Sequence, residues 1–184
     1  MSRTSVHSRR GAAGFTLTEI LIATSLSAIL FAAVFSAYLF LGRILTRLVN
    51  VQRQENESRR TLRYFTQDVS AAIRLTTATA SQVTLTRPTS GGTTTVTYEY
   101  SSGGGTLART QGGNTQTLVS QITAGSFAFS YYNESGSTVS TLQSIKSVEM
   151  SFSTTFGSSN AGTRASYTTV SPRIVLRNKP ALNE

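Results

Sequence analysis

The chain has 184 residues, enough for one modest domain with an accessory segment and too few for two large enzyme domains. Only 14% of the residues are charged and 39% are hydrophobic, while Ser, Thr and Gly fill long stretches, a mix that argues for β-structure with many turns rather than a helical bundle. The net charge of +9 is accompanied by no cysteine, which excludes disulfides and thiolate chemistry, and by a single histidine, His7.

Residues 1–14, MSRTSVHSRRGAAG, are small, polar and basic, with Arg3, Arg9 and Arg10 as their charges. They precede a charge-free run of 22 residues, Ile20 to Leu41. As a helix that run would span about 33 Å, enough for a hydrocarbon core of about 30 Å. Basic residues ahead of it should hold the N-terminus in the cytoplasm and send the remainder across the membrane. A secretory signal has a shorter apolar region followed by a small-residue cleavage site. A plain signal anchor needs only charge asymmetry and hydrophobic length, so composition leaves it open.

The order Gly14-Phe15-Thr16-Leu17-Thr18-Glu19-Ile20-Leu21-Ile22-Ala23 resembles the prepilin-type N-terminal cleavage and methylation motif. The resemblance implies that a prepilin peptidase cuts after Gly14 on the cytoplasmic face, that Phe15 becomes an N-methylated N-terminus, and that the apolar segment stays on the mature protein. Glu19 then falls at the motif's acidic position, where its implied role is attraction to the Phe15 amine of a neighbouring subunit during assembly. An unpaired charge entering hydrocarbon costs several kcal/mol. The simpler reading leaves Glu19 solvated at the membrane edge. Thr18 departs from the apolar residue often found at its position, and a cut after Gly11 would expose Ala12 instead of Phe15. Small residues from Ala23 to Ala37 would let helices approach closely, but they are equally ordinary membrane-helix composition.

Beyond Gly42 a three-four spacing of Ile44, Leu48, Val51, Leu62, Phe65, Val69 and Ala72 predicts that the helix continues to about residue 75. Its polar middle, Gln52 to Arg60, should be wet, and its last turns should pack on a globular domain through Leu62, Phe65, Val69 and Ile73. The Thr76-Thr77-Ala78-Thr79 stretch should end it. Arg43, Arg47, Arg53, Arg59, Arg60, Arg63 and Arg74 would all lie on this helix. Headgroup contact or ion pairs within a filament account for Arg43 and Arg47 better than DNA does, so DNA is not an expected partner.

From Gln82 onward apolar residues alternate at Val83/Leu85, Val96/Tyr98/Tyr100, Phe127/Phe129/Tyr131 and Val148/Met150/Phe152, the pattern of strands with one covered face. Turns are expected at Ser90-Gly91-Gly92, Ser102-Gly103-Gly104-Gly105, Gly112-Gly113-Asn114, Asn133-Glu134-Ser135-Gly136 and Gly157-Ser158-Ser159-Asn160. The predicted class is α+β: a long N-terminal helix, membrane-spanning in its first half, on an antiparallel β-sheet head, as in pilins. The divisions are 1–14 leader, 15–42 membrane and filament-core helix, 43–75 amphipathic continuation and 76–184 β-rich periplasmic head.

Arg63-Tyr64-Phe65-Thr66-Gln67-Asp68-Val69, Leu107-Ala108-Arg109, Phe127 to Tyr132 and Ile174 to Asn178 together look like the J-type minor pseudopilins of type II secretion and similar minor type IV pilins. That resemblance implies a subunit that initiates or caps a filament, with other minor pilins or pseudopilins, the inner membrane and secretion cargo as partners. The competing reading is a signal-anchored periplasmic binding or adhesin domain that never polymerises. An enzyme is not expected. Of the carboxylates beyond the apolar run, only Glu55 and Glu57 are close in sequence, and a two-residue helical offset points them apart. No metal-ligand spacing appears, and Gly103-Gly104-Gly105 lacks the lysine of a phosphate loop. Neither cofactor nor metal is therefore predicted.

Overall fold

The computed structural model describes residues 14–156 and 165–179; residues 1–13 of the expected leader and the expected turn at Gly157-Ser158-Ser159-Asn160 lie outside them. The predicted α+β class is what is found. Helix α1 runs Leu17–Ala71 and is followed by β1 (Arg74–Ala78), β2 (Gln82–Thr89), β3 (Gly92–Ser101), β4 (Thr106–Gln111), β5 (Asn114–Val119), β6 (Ala128–Tyr132), β7 (Ser147–Phe156), β8 (Ala165–Val170) and β9 (Ile174–Val175). The chain divides into two compact units, Met1–Val49 and Asn50–Glu184.

In the first unit α1 is long and apolar enough to cross a membrane, and none of its most apolar window is buried by protein. Two of its hydroxyls are satisfied by carbonyls of the helix itself, as suits hydrocarbon surroundings. Thr24 Oγ1 donates to the Ile20 carbonyl at 3.0 Å, and Ser25 Oγ donates to the Leu21 carbonyl at 2.8 Å.

The second unit holds two antiparallel sheets where sequence alternation had implied one. The first is a meander, β1-β2-β3-β4-β5; the second has the order β6-β7-β8, with β9 also paired to β7. Four turns fall where the glycines predicted them, including Gly112-Gly113, where both φ angles are positive (56° and 83°) and Gln111 pairs with Asn114. Two consecutive positive φ values match the right-handed twist of the flanking strands.

Phe65, at 0% exposure, joins the two sheets from the helix. Its ring meets Tyr98 of β3 edge-on at 5.3 Å and stacks on Phe129 of β6 at 5.7 Å. Val69 and Ala72 extend this contact, against a core that includes Val83, Leu85, Val96, Leu107, Val148, Met150 and Phe152. Burying one such large side chain contributes about 1.5–3 kcal/mol.

The helix ends four residues earlier than predicted. Ala71 is its last residue, Ile73 N–H already bonds the Thr86 carbonyl at 2.9 Å, and Arg74–Ala78 pairs with β2 as a strand. Leu75 is buried in the core and belongs to a period-two pattern, which the following β-branched threonines favour. Arg74 accordingly stands on β1, not on the helix.

The expected wet middle of the helix, Gln52 to Arg60, is exposed at most positions but not on the face that meets the second sheet. Gln54, Ser58 and Thr61 are buried, at 6%, 4% and 0% exposure. Gln54 Nε2 donates to Thr154 Oγ1 of β7, and Thr169 Oγ1 of β8 donates to Ser58 Oγ at 3.2 Å. Thr61 Oγ1 donates back to the Glu57 carbonyl at 2.8 Å. The i, i+4 and i+7 spacing of these three continues to Phe65 and Asp68, so one buried helix face bonds the second sheet through Gln54 and Ser58, enters the core at Phe65 and reaches the first sheet at Asp68.

Gly105, which closes the β3–β4 turn, has φ +57°, and a Cβ built there would stand 2.9 Å from the Ile122 carbonyl oxygen. That same backbone segment is tied to the turn by Ile122 N–H donating to the Gly105 carbonyl at 2.8 Å. Gly105→Ala should therefore cost about 1–3 kcal/mol, whereas Gly103→Ala, with nothing within 4 Å, should cost little. Denaturant midpoints of the two variants check this.

Candidate functional site

Gly14, Phe15 and Thr16 precede the first helical turn. A Cβ at Gly14 would meet nothing within 4 Å, and Phe15 is 84% exposed, so the bond between them is open on the protein side. Phe15 and Glu19 line one shallow groove of about 740 Å³ on the helix face, together with Ile20, Ala23, Ser27 and Phe31. Two of the three residues singled out in the sequence, Phe15 and Glu19, thus share a groove at the helix start, floored by small side chains, while Gly14 is next to Phe15 in the chain but does not line it.

Glu19 has a local partner that the motif did not reveal. Its N–H donates to Thr16 Oγ1 at 3.3 Å, while Glu19 Oε2 accepts from Thr16 N–H at 2.9 Å and from the Thr16 hydroxyl at 3.0 Å. This reciprocal arrangement is a capping box, written in the sequence as Thr16-Leu17-Thr18-Glu19. It satisfies backbone donors that a helix start leaves without intrahelical partners. The acidic side chain also lies in the first turn, where the helix dipole favours negative charge.

A second polar constellation, at Asp68, was counted in the sequence only as one carboxylate among several. Asp68 is 1% exposed. Arg87 Nη1 of β2 donates to its Oδ1, while Arg109 Nε of β4 and Tyr98 Oη of β3 each donate to its Oδ2 at 2.7 Å. Arg109 in turn donates to Gln111 Oε1 at 2.6 Å and lies 5.3 Å from the centre of the Tyr64 ring. Burial raises the Tyr98 pKa above the ordinary tyrosine range, and the neighbouring Asp68 charge adds to it. Burial works against the Arg109 charge, but the bond and ion pair with Asp68 outweigh it and its pKa is raised.

The sequence signal for this cluster was present. Val83-x-Leu85-x-Arg87 and Leu107-x-Arg109 continue inward-facing series into charged residues, opposite an acid one turn beyond Phe65. Its members donate to and accept from one another across the helix and three strands, which suits a fastening of helix to sheet. Among the described residues no three His, Asp or Glu side chains gather as metal ligands do.

Residues 9–35 match the model of the prokaryotic N-terminal methylation motif. No curated protein and no solved structure matches the chain. The match takes in Gly14, Phe15, Glu19 and the first part of the apolar helix. Such a start, leading through a long apolar helix into an antiparallel β-domain, supports a type IV pilin-like subunit anchored in a membrane by one helix.

Proposed function

We propose that the chain is a minor pilin or pseudopilin, a structural subunit that initiates or caps a type II secretion pseudopilus or a type IV pilus. The observation that carries this reading is the placement of Gly14, Phe15 and Glu19 at the open start of an apolar helix, within the residues that match the methylation motif. Gly14 is the last leader residue, Phe15 the methylated N-terminus, and Glu19 the side chain that meets a neighbour's amine. Its partners are prepilin peptidase, other minor pilins or pseudopilins, and the inner membrane, with secretion cargo at the filament. The N-terminus faces the cytoplasm on the strength of Arg3, Arg9 and Arg10, and the β-domain is periplasmic. No catalytic step is assigned to it.

One observation favours the second reading, a signal-anchored domain that does not polymerise: the capping box with Thr16 accounts for an acidic residue at Glu19 without any neighbouring subunit. Intact-mass analysis of the protein from its own membranes separates the two. The filament reading expects the wild type to lack residues 1–14 and to carry a methyl group on Phe15, while Gly14→Val stays at full length. Full length for both proteins, with masses differing only by the substituted side chain, would leave the solitary anchored domain.

A further inference from the structure

Just before β7 the chain makes a tight turn at Leu142–Ser144, closed by Ser144 N–H donating to the Thr141 carbonyl at 3.0 Å. Three carbonyls of this segment converge on one point. The Nζ of Lys179 donates to the Leu142 carbonyl at 2.6 Å, the Gln143 carbonyl at 2.7 Å and the Ile145 carbonyl at 2.8 Å. The contact joins segments separated by more than thirty residues. Elsewhere the same C-terminal stretch is tied by backbone, with Leu176 N–H donating to the Lys146 carbonyl at 2.9 Å.

An ammonium carries three N–H donors and no acceptor, and all three are used here by oxygens of the main chain. Charge-assisted bonds of this length are stronger than neutral ones. No carboxylate takes part in these three bonds, so the site recognises the donor geometry of the ammonium through carbonyl dipoles instead of forming an ion pair. The oxygen count also defines the ligand class: three carbonyls match an ammonium, whereas calcium takes about six to eight oxygens. Partial burial works against the ammonium charge, and with the nearby Lys146 this lowers the Lys179 pKa; the three carbonyls replace part of its water shell.

We propose that the 142–145 turn is a primary-ammonium binding site that the chain fills with its own Lys179, and that filling it fastens the C-terminal stretch and fixes one wall of the neighbouring cleft. That cleft, about 650 Å³, is lined by Ile73, Leu75 and Thr76 of the β1 region and by Leu142, Gln143 and Lys179. With the ammonium gone, three carbonyls point at an empty position and the turn has lost its tie to the chain's end. This inference is independent of whether the protein enters a filament.

The test is thermal unfolding of the full chain in mild detergent, comparing wild type, Lys179→Ala and Lys179→Met, each with sodium chloride, ethylammonium chloride or tetramethylammonium chloride at equal ionic strength. The alanine variant is expected to unfold about 3–8 °C below wild type. Ethylammonium, which brings three N–H donors, should restore at least half of that loss; tetramethylammonium, with the same charge and no donor, should restore none. Wild type should respond equally to all three salts. The methionine variant keeps much of the apolar stem and should show the same loss. An alanine variant as stable as wild type, or equal rescue by the two organic cations, overturns the proposal. Should the alanine variant fail to fold, the methionine variant decides on the loss alone, and wild-type stability there overturns it.

Discussion

Asp68→Ala is expected to lower the unfolding free energy by about 3–5 kcal/mol, the usual cost of removing one partner from a buried ion pair. The carboxylate accepts hydrogen bonds from three side chains on three strands, and its removal leaves the Arg87 and Arg109 guanidinium groups facing each other with no negative charge between them. Their side chains are only 22% and 12% exposed, so water cannot replace what is lost without the helix lifting from the sheet. The comparison variant is Glu55→Ala, whose partner Arg59 lies one turn along the same helix and is 75% exposed; an exposed pair of that kind contributes about 0.5 kcal/mol or less. Denaturant unfolding of both variants, followed by the near-ultraviolet signal of the tyrosines, measures the difference. Equal losses would mean that the Asp68 cluster does not hold helix to sheet.

The second large effect concerns Glu19, and two substitutions divide its two roles. Glu19→Gln keeps a side-chain oxygen that can accept from Thr16 N–H, since glutamine serves at this position of a capping box, but it removes the charge. Glu19→Leu removes both. If attraction to a neighbour's Phe15 amine draws the subunit into a filament, both variants should be cleaved after Gly14 as usual. Both should then fall roughly tenfold or more in the sheared filament fraction, in line with the few kcal/mol that pairing a charge at the membrane is worth. Normal incorporation of Glu19→Gln with loss of Glu19→Leu would show that the cap, and not the charge, is what assembly needs.

The parts of this structure legible in the sequence are those encoded by neighbours in the chain. Gly14 to Ala23 form a contiguous pattern, the apolar run declares itself by length, and Gly112-Gly113 requires only local backbone freedom. The capping box is equally local in Thr16-Leu17-Thr18-Glu19, where the charge of the acidic residue draws attention from its capping role. What could not be read depends on partners far along the chain. Gln54 and Ser58 look like solvent-facing residues until Thr154 and Thr169 arrive from β7 and β8 to satisfy them. Alternation shows that a strand has a covered face without showing which sheet it joins, so the division into two sheets was out of reach. Leu75 fits a helical spacing and a strand spacing alike, and only pairing with Leu85 decides between them.

The polar face at Gln54, Ser58 and Thr61 has a consequence for a chain that also carries a long apolar segment. Where a helix leaves a sheet across an apolar seam, the exposed surfaces invite other chains to stick. Here the parting groups are amide and hydroxyl, and they exchange one another for water at small net cost. The stretch from Gln54 to Ser58 therefore meets β7 and β8 through groups that leave a polar surface if they part, one on which copies have little reason to aggregate, while Phe65 and Val69 keep the core shut beneath it.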